Sequence, residues 1–362
     1  MMKKKKIKTK GGKEILKSEN LLIVESFFKN PLQFLVLEEP QVHENMAVIP
    51  IVLKENKFVD FITIQEAEEL NLIEIVETDS VNQLEVINNS DKEILIPFGV
   101  TVHGGKQDRT VWEPILLPAQ GKGKIFDQKT ASNVQKRYSI PAKCVEQSRW
   151  SVVKDRKFKA SNIKLHPNVA FEAISPAGQG AVWQEIQFFR NEMKYDPKIA
   201  PTQSYLEMTK ITETKTENFV KHFKNVNNQC GVAVFIDGDF IGIEFYANPK
   251  AWRSMFKDII KAFSIEALRF KKENKTTKIP NDMRQEFLKI LKNLDFNFST
   301  RNGIGLGVVV EFKTNDNKWR GITLTHDETM VQLYLVKKRG GATYTSPHDI
   351  QVQTIIDNRF QL

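Results

Sequence analysis

Asp237-Gly238-Asp239 stands between two apolar, β-branched runs at residues 231–236 and 240–245. An Asp-Gly pair tolerates the positive φ that the central residues of a tight hairpin turn require, so these runs are expected as antiparallel neighbours. That ribbon constrains the rest. Other strand-like runs fall at residues 58–64, 72–76, 81–87, 93–102, 111–117, 139–145, 304–312, 319–324 and 329–336. Helical spacing is expected in one short segment of the first third, after Thr63, and then over 180–193, 205–226, 252–270 and 283–294. Strands and helices do not alternate as βαβ units, which argues against a parallel doubly wound sheet. The expected class is α+β, a mostly antiparallel β-sheet with packed helices, in a single integrated domain over residues 20–340.

Local signals fix some of these elements. Thr63-Ile64-Gln65-Glu66 has the form of a capping box, in which the hydroxyl takes an orphan N–H and the glutamate reaches back. Trp252, Met255, Phe256, Ile259, Ile260 and Phe263 form one apolar stripe behind Asn248-Pro249. Residues 118–137 are rich in Gly, Lys and Gln without a period, and read as a loop.

The net charge of +9 suggests a polyanion partner until its distribution is read. Lys3, Lys4, Lys5, Lys6, Lys8, Lys10 and Lys13 all precede the first acid, Glu14. Without them the chain carries only about +2, so the basic character belongs to an arm, residues 1–19, expected to be disordered. A solvated tail is the main expectation for it, and RNA contact through Lys3 to Lys13 the lesser one. Residues 341–362 are expected as a loosely held C-terminal tail.

Cys144 and Cys230 are the only cysteines, which points to a reducing, cytoplasmic compartment without a disulfide framework. No apolar run approaches the roughly 20 residues of a membrane span, so no membrane role is expected. GxGxxG, Walker and HExxH motifs are missing, as are cysteines paired at zinc spacing. His43, His103, His166, His222, His326 and His348 are scattered singly, so neither a cofactor nor a metal is expected.

Two segments concentrate polar chemistry. The first is His103-Gly104-Gly105-Lys106-Gln107-Asp108-Arg109-Thr110, between two strands. Paired glycines let the backbone approach a ligand, and the N–H groups of such a turn form an anion nest beside Lys106 and Arg109. The plain alternative is a hairpin loop with solvated charges. The second is Pro141-Ala142-Lys143-Cys144-Val145-Glu146-Gln147-Ser148-Arg149-Trp150. If extended, it turns Cys144, Glu146 and Ser148 to one side and Gln147 and Arg149 to the other. Such a strand lines a cleft, with Arg149 forked onto a phosphate or carboxylate, or else Glu146 forms a structural ion pair with an arginine such as Arg109. Cys144 is a candidate nucleophile, activated by His103 or local positive charge, or a small buried hydrophobe.

Gly104-Gly105-Lys106-Gln107-Asp108-Arg109, followed by Ile140-Pro141, Cys144-Val145-Glu146-Gln147 and Arg149-Trp150, resembles the ARG and rhodanese–phosphatase-superfamily-associated protein domain family. ARG there denotes ADP-ribosylglycohydrolase. Phe61-Ile62-Thr63-Ile64 with Glu66-Ala67, Gln179 with Trp183, and the hairpin leading into the 252–268 helix extend the likeness to about residues 20–340. Ser148 stands where the family form carries glycine, and Asp108 where asparagine is common. The resemblance implies a link to ADP-ribose or RNA-repair metabolism. The leading expectation is therefore a site for a phosphorylated small molecule or nucleotide. Its binding residues would be Gly104, Gly105, Lys106, Gln107, Arg109, Gln147, Arg149 and Trp150. Glu146 would be the general base or a ribose-hydroxyl acceptor, with Cys144 a further catalytic candidate. The rivals are a non-catalytic interaction module whose polar motif is structural, and an RNA-binding accessory protein. Oligomeric state stays open.

Overall fold

A computed structural model describes residues 6–8, 14–16, 19–54, 58–78, 80–120, 124–127, 132–147, 156–174, 178–196, 198, 201, 203–271 and 280–340. The Asp-Gly ribbon is at its centre. Gln229–Ile236 and Asp239–Tyr246 pair antiparallel, with Asp237 at φ 53° and Gly238 at φ 82° in the turn. Around them a nine-stranded antiparallel sheet runs in the order Phe296–Asn302, Val308–Thr314, Trp319–His326, Thr329–Lys337, Asp239–Tyr246, Gln229–Ile236, Met46–Leu53 and Leu35–Leu37. Gln41–His43 is the ninth strand, on the same edge of Met46–Leu53.

Six further strands close into an antiparallel barrel: Val100–Gly104, Arg109–Val111, Tyr138–Cys144, Gln83–Asn88, Ile73–Glu77 and Lys157–Lys164. A small sheet adds Phe61–Thr63 parallel to Glu93–Ile96, which pairs antiparallel with Ile115–Leu117. The fold is α+β, as expected, with antiparallel pairing dominant.

One face of the large sheet and the barrel share a core with the helices Pro249–Arg269, Pro167–Ile174, Gln179–Glu192 and Tyr205–Ile211. Asn248 caps Pro249–Arg269 by accepting from the Lys250 and Ala251 N–H groups, and Pro249 supplies a fixed φ at the first turn. Trp252, Met255, Ile259, Ile260 and Phe263 are all buried, each contributing about 1.5–3 kcal/mol of apolar burial. The other sheet face is covered by Glu19–Lys29 and Met283–Asn293, whose Phe27, Phe28, Phe287 and Leu291 are buried. The Thr63 capping box forms with both of its hydrogen bonds.

Barrel and sheet are joined by a buried polar knot. Lys164, the last residue of its barrel strand, donates from Nζ to Glu244 Oε1 (2.6 Å) and to the Phe98 carbonyl (2.9 Å). Gln332 Nε2 donates to the same Glu244 oxygen (3.0 Å), while the Phe98 N–H donates to Gln332 Oε1 (2.9 Å).

Several expectations are corrected. Residues 93–102 are two strands, interrupted where Pro97 withholds a backbone donor and Gly99 takes φ 77°. Residues 205–226 hold two helices, Tyr205–Ile211 and Glu213–His222, broken at Thr212, whose hydroxyl turns back onto the Thr209 carbonyl. Lys124–Asp127 and Ser132–Gln135 pair as a hairpin inside the expected loop. Glu19–Lys29 is a second helix in the first third, and Lys157–Lys164 and Pro167–Ile174 are elements without a clear periodic signature. Of the N-terminal arm, Lys6–Lys8 pairs with Glu14–Leu16, and its remaining residues before Glu19 lie outside the described ones, as does the whole 341–362 tail. Among the described residues, no helix is long and apolar enough to cross a membrane.

Candidate functional site

The two polar segments meet. Arg109–Val111 lies beside Tyr138–Cys144 with Arg109 opposite Cys144. Beyond that register, the Val145 N–H donates to the Asp108 carbonyl (3.0 Å) and the Asp108 N–H donates to Glu146 Oε2 (3.2 Å). The Tyr205 N–H then binds the Val145 carbonyl (2.9 Å), and Glu146 bridges to Ser204. The start of the Tyr205–Ile211 helix therefore joins the loop and the strand end.

The glycines serve a tight approach. Gly104 has φ 134°, and a Cβ there would stand 2.5 Å from the Lys157 carbonyl oxygen. Gly105 has φ 48°, and its Cβ would enter the Phe158 ring at 2.3 Å. Side chains are excluded by the neighbouring barrel strand.

The loop N–H groups on which an anion nest was expected are taken up by three different carboxylates of the protein itself. The Lys106 N–H donates to Glu77 Oε2 (3.0 Å), that of Gly104 to Asp108 Oδ1 (3.4 Å), and that of Asp108 to Glu146. Arg109 lies among these acids. Its side chain is 0% exposed, pairs with Glu77 Oε1 at 3.8 Å, and donates from Nη1 to the Gln107 carbonyl (3.1 Å) and to Gln107 Oε1 (3.4 Å). Among the described residues, the buried Arg109 Nε and Nη2 have no hydrogen-bond acceptor. The ion-pair partner seen for Arg109 is thus Glu77 rather than Glu146.

One polar side chain of the loop faces outward under tight control. His103 is 65% exposed, yet its Nδ1 lies 2.7 Å from Oδ1 of Asp108, which is 3% exposed. Ser204 Oγ donates to the other Asp108 oxygen (3.0 Å) while its hydroxyl also caps the Tyr205–Ile211 helix through the Glu207 N–H. Lys106 is half-buried and Gln147 exposed. Ser148, Arg149 and Trp150 lie outside the described residues.

Cys144 is fully buried, and burial pushes its thiol up to about 11 despite the opposing pull of Arg109. The nucleophilic thiolate is correspondingly scarce at neutral pH. Burial likewise pushes Cys230 up to about 11. In the folded protein at neutral pH, neither thiol is expected to react with Ellman's reagent on the timescale of free cysteine, and both should react in denaturant. Fast native labelling of Cys144 would restore it as a nucleophile.

Gln179 is half-buried and is not the cap of its helix, whose N-cap is Gly178. Its amide replaces a strand neighbour: the Cys144 N–H donates to Gln179 Oε1 (2.7 Å), and Gln179 Nε2 donates to the Cys144 carbonyl (2.6 Å). The Gln179–Glu192 helix is thereby tied to the strand end beside Glu146.

Glu77, Ser204 and the His103–Asp108 pair were not singled out in the sequence. Ser204-Tyr205-Leu206-Glu207 has the form of a helix start, but nothing local to it announces a partner 96 residues away at Asp108. The His103–Asp108 pair was legible: the hairpin pairs Thr101 with Thr110 and Val102 with Arg109, so the next step sets position 103 against 108. Among the described residues, no group of three or more His, Cys, Asp or Glu side chains is placed to hold a metal ion.

No curated protein and no solved structure matches the chain. The family comparison does find a match, and it covers both polar segments, the barrel and most of the large sheet. With residues 34–336 matched, the chain belongs to the family of the ARG and Rhodanese-Phosphatase-superfamily-associated Protein domain.

Proposed function

We propose that the protein binds a phosphorylated, ribose-bearing ligand of the ADP-ribose or nucleotide kind at the barrel rim formed by residues 103–109 and 144–147. The observation that carries this reading is the exposed imidazole of His103, held at 2.7 Å by a buried carboxylate on a two-glycine turn. Fixing a solvent-facing side chain by a buried partner costs rotamer freedom and desolvation, an expense suited to a site. Lys106, Gln147 and His103 face the ligand; Arg109, Gln107 and Glu146 support the loop from beneath, with Gly104 and Gly105 setting its path. Arg149 and Trp150 follow directly in the chain and complete the proposed set. Two buried free thiols suit a reducing, cytoplasmic setting.

A second reading is favoured by the burial of Glu77, Asp108, Arg109 and Glu146, whose contacts are largely with one another and with the loop backbone. In it, the motif is an internal network and the protein an interaction module. Calorimetry with ADP-ribose separates the two. Lys106→Ala is expected to weaken binding about tenfold, the loss of one charge-assisted contact. Absence of ADP-ribose binding by the unaltered protein at millimolar concentration would leave the second reading standing.

A further inference from the structure

We propose that His103 is the general base and acid of a hydrolytic reaction on a phosphoester at this rim, with Asp108 and Ser204 as its positioning residues. The inference rests on the ligand-site reading above and adds a reaction to it.

The argument begins with Asp108. One of its oxygens lies 3.4 Å from the Gly104 N–H and 2.7 Å from His103 Nδ1, and the other accepts the Ser204 hydroxyl at 3.0 Å. Held by donors on both oxygens, the carboxylate presents an acceptor to the imidazole. An ionised Asp108 accepts only, so Nδ1 carries the hydrogen, and in the neutral ring the lone pair falls on Nε2. The ring is 65% exposed while Asp108 is 3% exposed, so the bound edge points inward and the basic nitrogen outward.

This is the division of labour that general-base catalysis needs: a buried carboxylate fixing tautomer and orientation, and a ring nitrogen left open to the reacting proton. Among the described residues, no hydroxyl or thiol nucleophile is placed at Nε2. Ser204 lies on the far side of Asp108, and Cys144 is sealed beneath the strand. The nucleophile of the proposed step is water. Nε2 takes a proton from water as its oxygen forms a bond to phosphorus. The bond from phosphorus to the leaving oxygen breaks, and that oxygen takes the proton from Nε2. One water is consumed, one ester bond is cleaved, and the imidazole is returned unchanged.

The test uses the full chain and three measurements. Imidazole nitrogen NMR reads the tautomer of His103, release of nitrophenolate from bis-p-nitrophenyl phosphate reads hydrolysis, and ADP-ribose calorimetry reads the ligand site. The Nδ1–H tautomer and measurable turnover are expected for the unaltered protein. His103→Gln should lower the hydrolytic rate by about 100-fold or more, a loss larger than any loss of ADP-ribose affinity it causes. Asp108→Asn should shift the tautomer and lower the rate with little change in KM, an effect that mere loosening of the loop would not produce on the tautomer. If Asp108→Asn fails to fold, the exposed His103 variant still decides. An Nε2–H tautomer, no turnover by the unaltered protein, or equal turnover by His103→Gln overturns the proposal. ADP-ribose binding without turnover removes the reaction and keeps the ligand site; turnover without ADP-ribose binding removes that ligand and keeps His103.

Discussion

Arg269→Met is expected to destabilise the protein by about 3–5 kcal/mol, because it strands buried carboxylates rather than deleting a surface charge. The Arg269 side chain is fully buried; it reaches Glu185 and Glu266 at 3.0 Å each, and Nε donates to Glu192 at 2.7 Å. Glu185 and Glu266 are themselves sealed from solvent, so without the guanidinium each keeps its desolvation cost and loses its counter-charge. Burial alone would raise the Glu266 carboxyl, but Arg269 and His166 outweigh it and hold the group down at about 2. The depressed folded value means that this stabilisation is complete above the unfolded value of about 4.3 and is lost as pH falls towards the folded one. In the variant the brake is gone and burial favours the protonated acids. The stability gap between the two proteins, read by equilibrium denaturation, should therefore narrow as pH is lowered from neutral towards about 4. A gap under about 1 kcal/mol at neutral pH, or one insensitive to pH, would show that the cluster is solvated and the account wrong.

The elements that were legible in the sequence are those whose physics is local. Asp237-Gly238 announces a turn because its backbone must take positive φ, and the Thr63 box and Asn248-Pro249 cap announce helix starts through hydrogen bonds spanning three residues. The elements that were missed answer to distant partners. Lys157–Lys164 alternates poorly because it closes the barrel against Val100–Gly104 on one side and Ile73–Glu77 on the other, and its Lys164 is a buried cation. Pro167–Ile174 is buried on all sides, so no polar face marks its period. Glu19–Lys29 hides its helical stripe of Val24, Phe27 and Phe28 among neighbouring apolar residues.

The candidate site divides along the same line. That the Gly104-Gly105 turn and the segment around Cys144 belong together was readable from motif content, because both carry polar residues that a core strand would not tolerate. Which of those residues face solvent was not. A strict two-residue alternation puts Val145 opposite Cys144 and Glu146, whereas all three are buried, because the strand ends at Cys144 and the chain turns to meet Ser204. Glu77 enters from 29 residues upstream of Lys106, and only the closed barrel brings it under the loop.

Lys164→Met should cost about 3–5 kcal/mol for the same reason as Arg269→Met, but its cycle with Glu244→Gln tests a different point, how the barrel is fastened to the sheet. Lys164 and Glu244 are both sealed from solvent at 2.6 Å, and Tyr246 donates its hydroxyl to the same Glu244 oxygen at 2.6 Å. Removing the lysine alone leaves a buried carboxylate with only neutral donors, Tyr246 and Gln332. Removing both charges leaves a neutral amide at position 244 beside those donors, so the double variant should be more stable than the sum of the single losses by about 2 kcal/mol or more. The knot also ties Phe98, and with it the Pro97–Gly99 break before Val100–Gly104, to Gln332 of the large sheet. Lys164→Met is therefore expected to speed amide exchange in the barrel strands Val100–Gly104 and Arg109–Val111 more than in Gln229–Ile236, because the barrel loses its anchor while the sheet keeps its neighbours. Additive single losses, or exchange rising equally in sheet and barrel, would mean that the apolar core alone holds the two layers together and that the buried pair contributes no coupling.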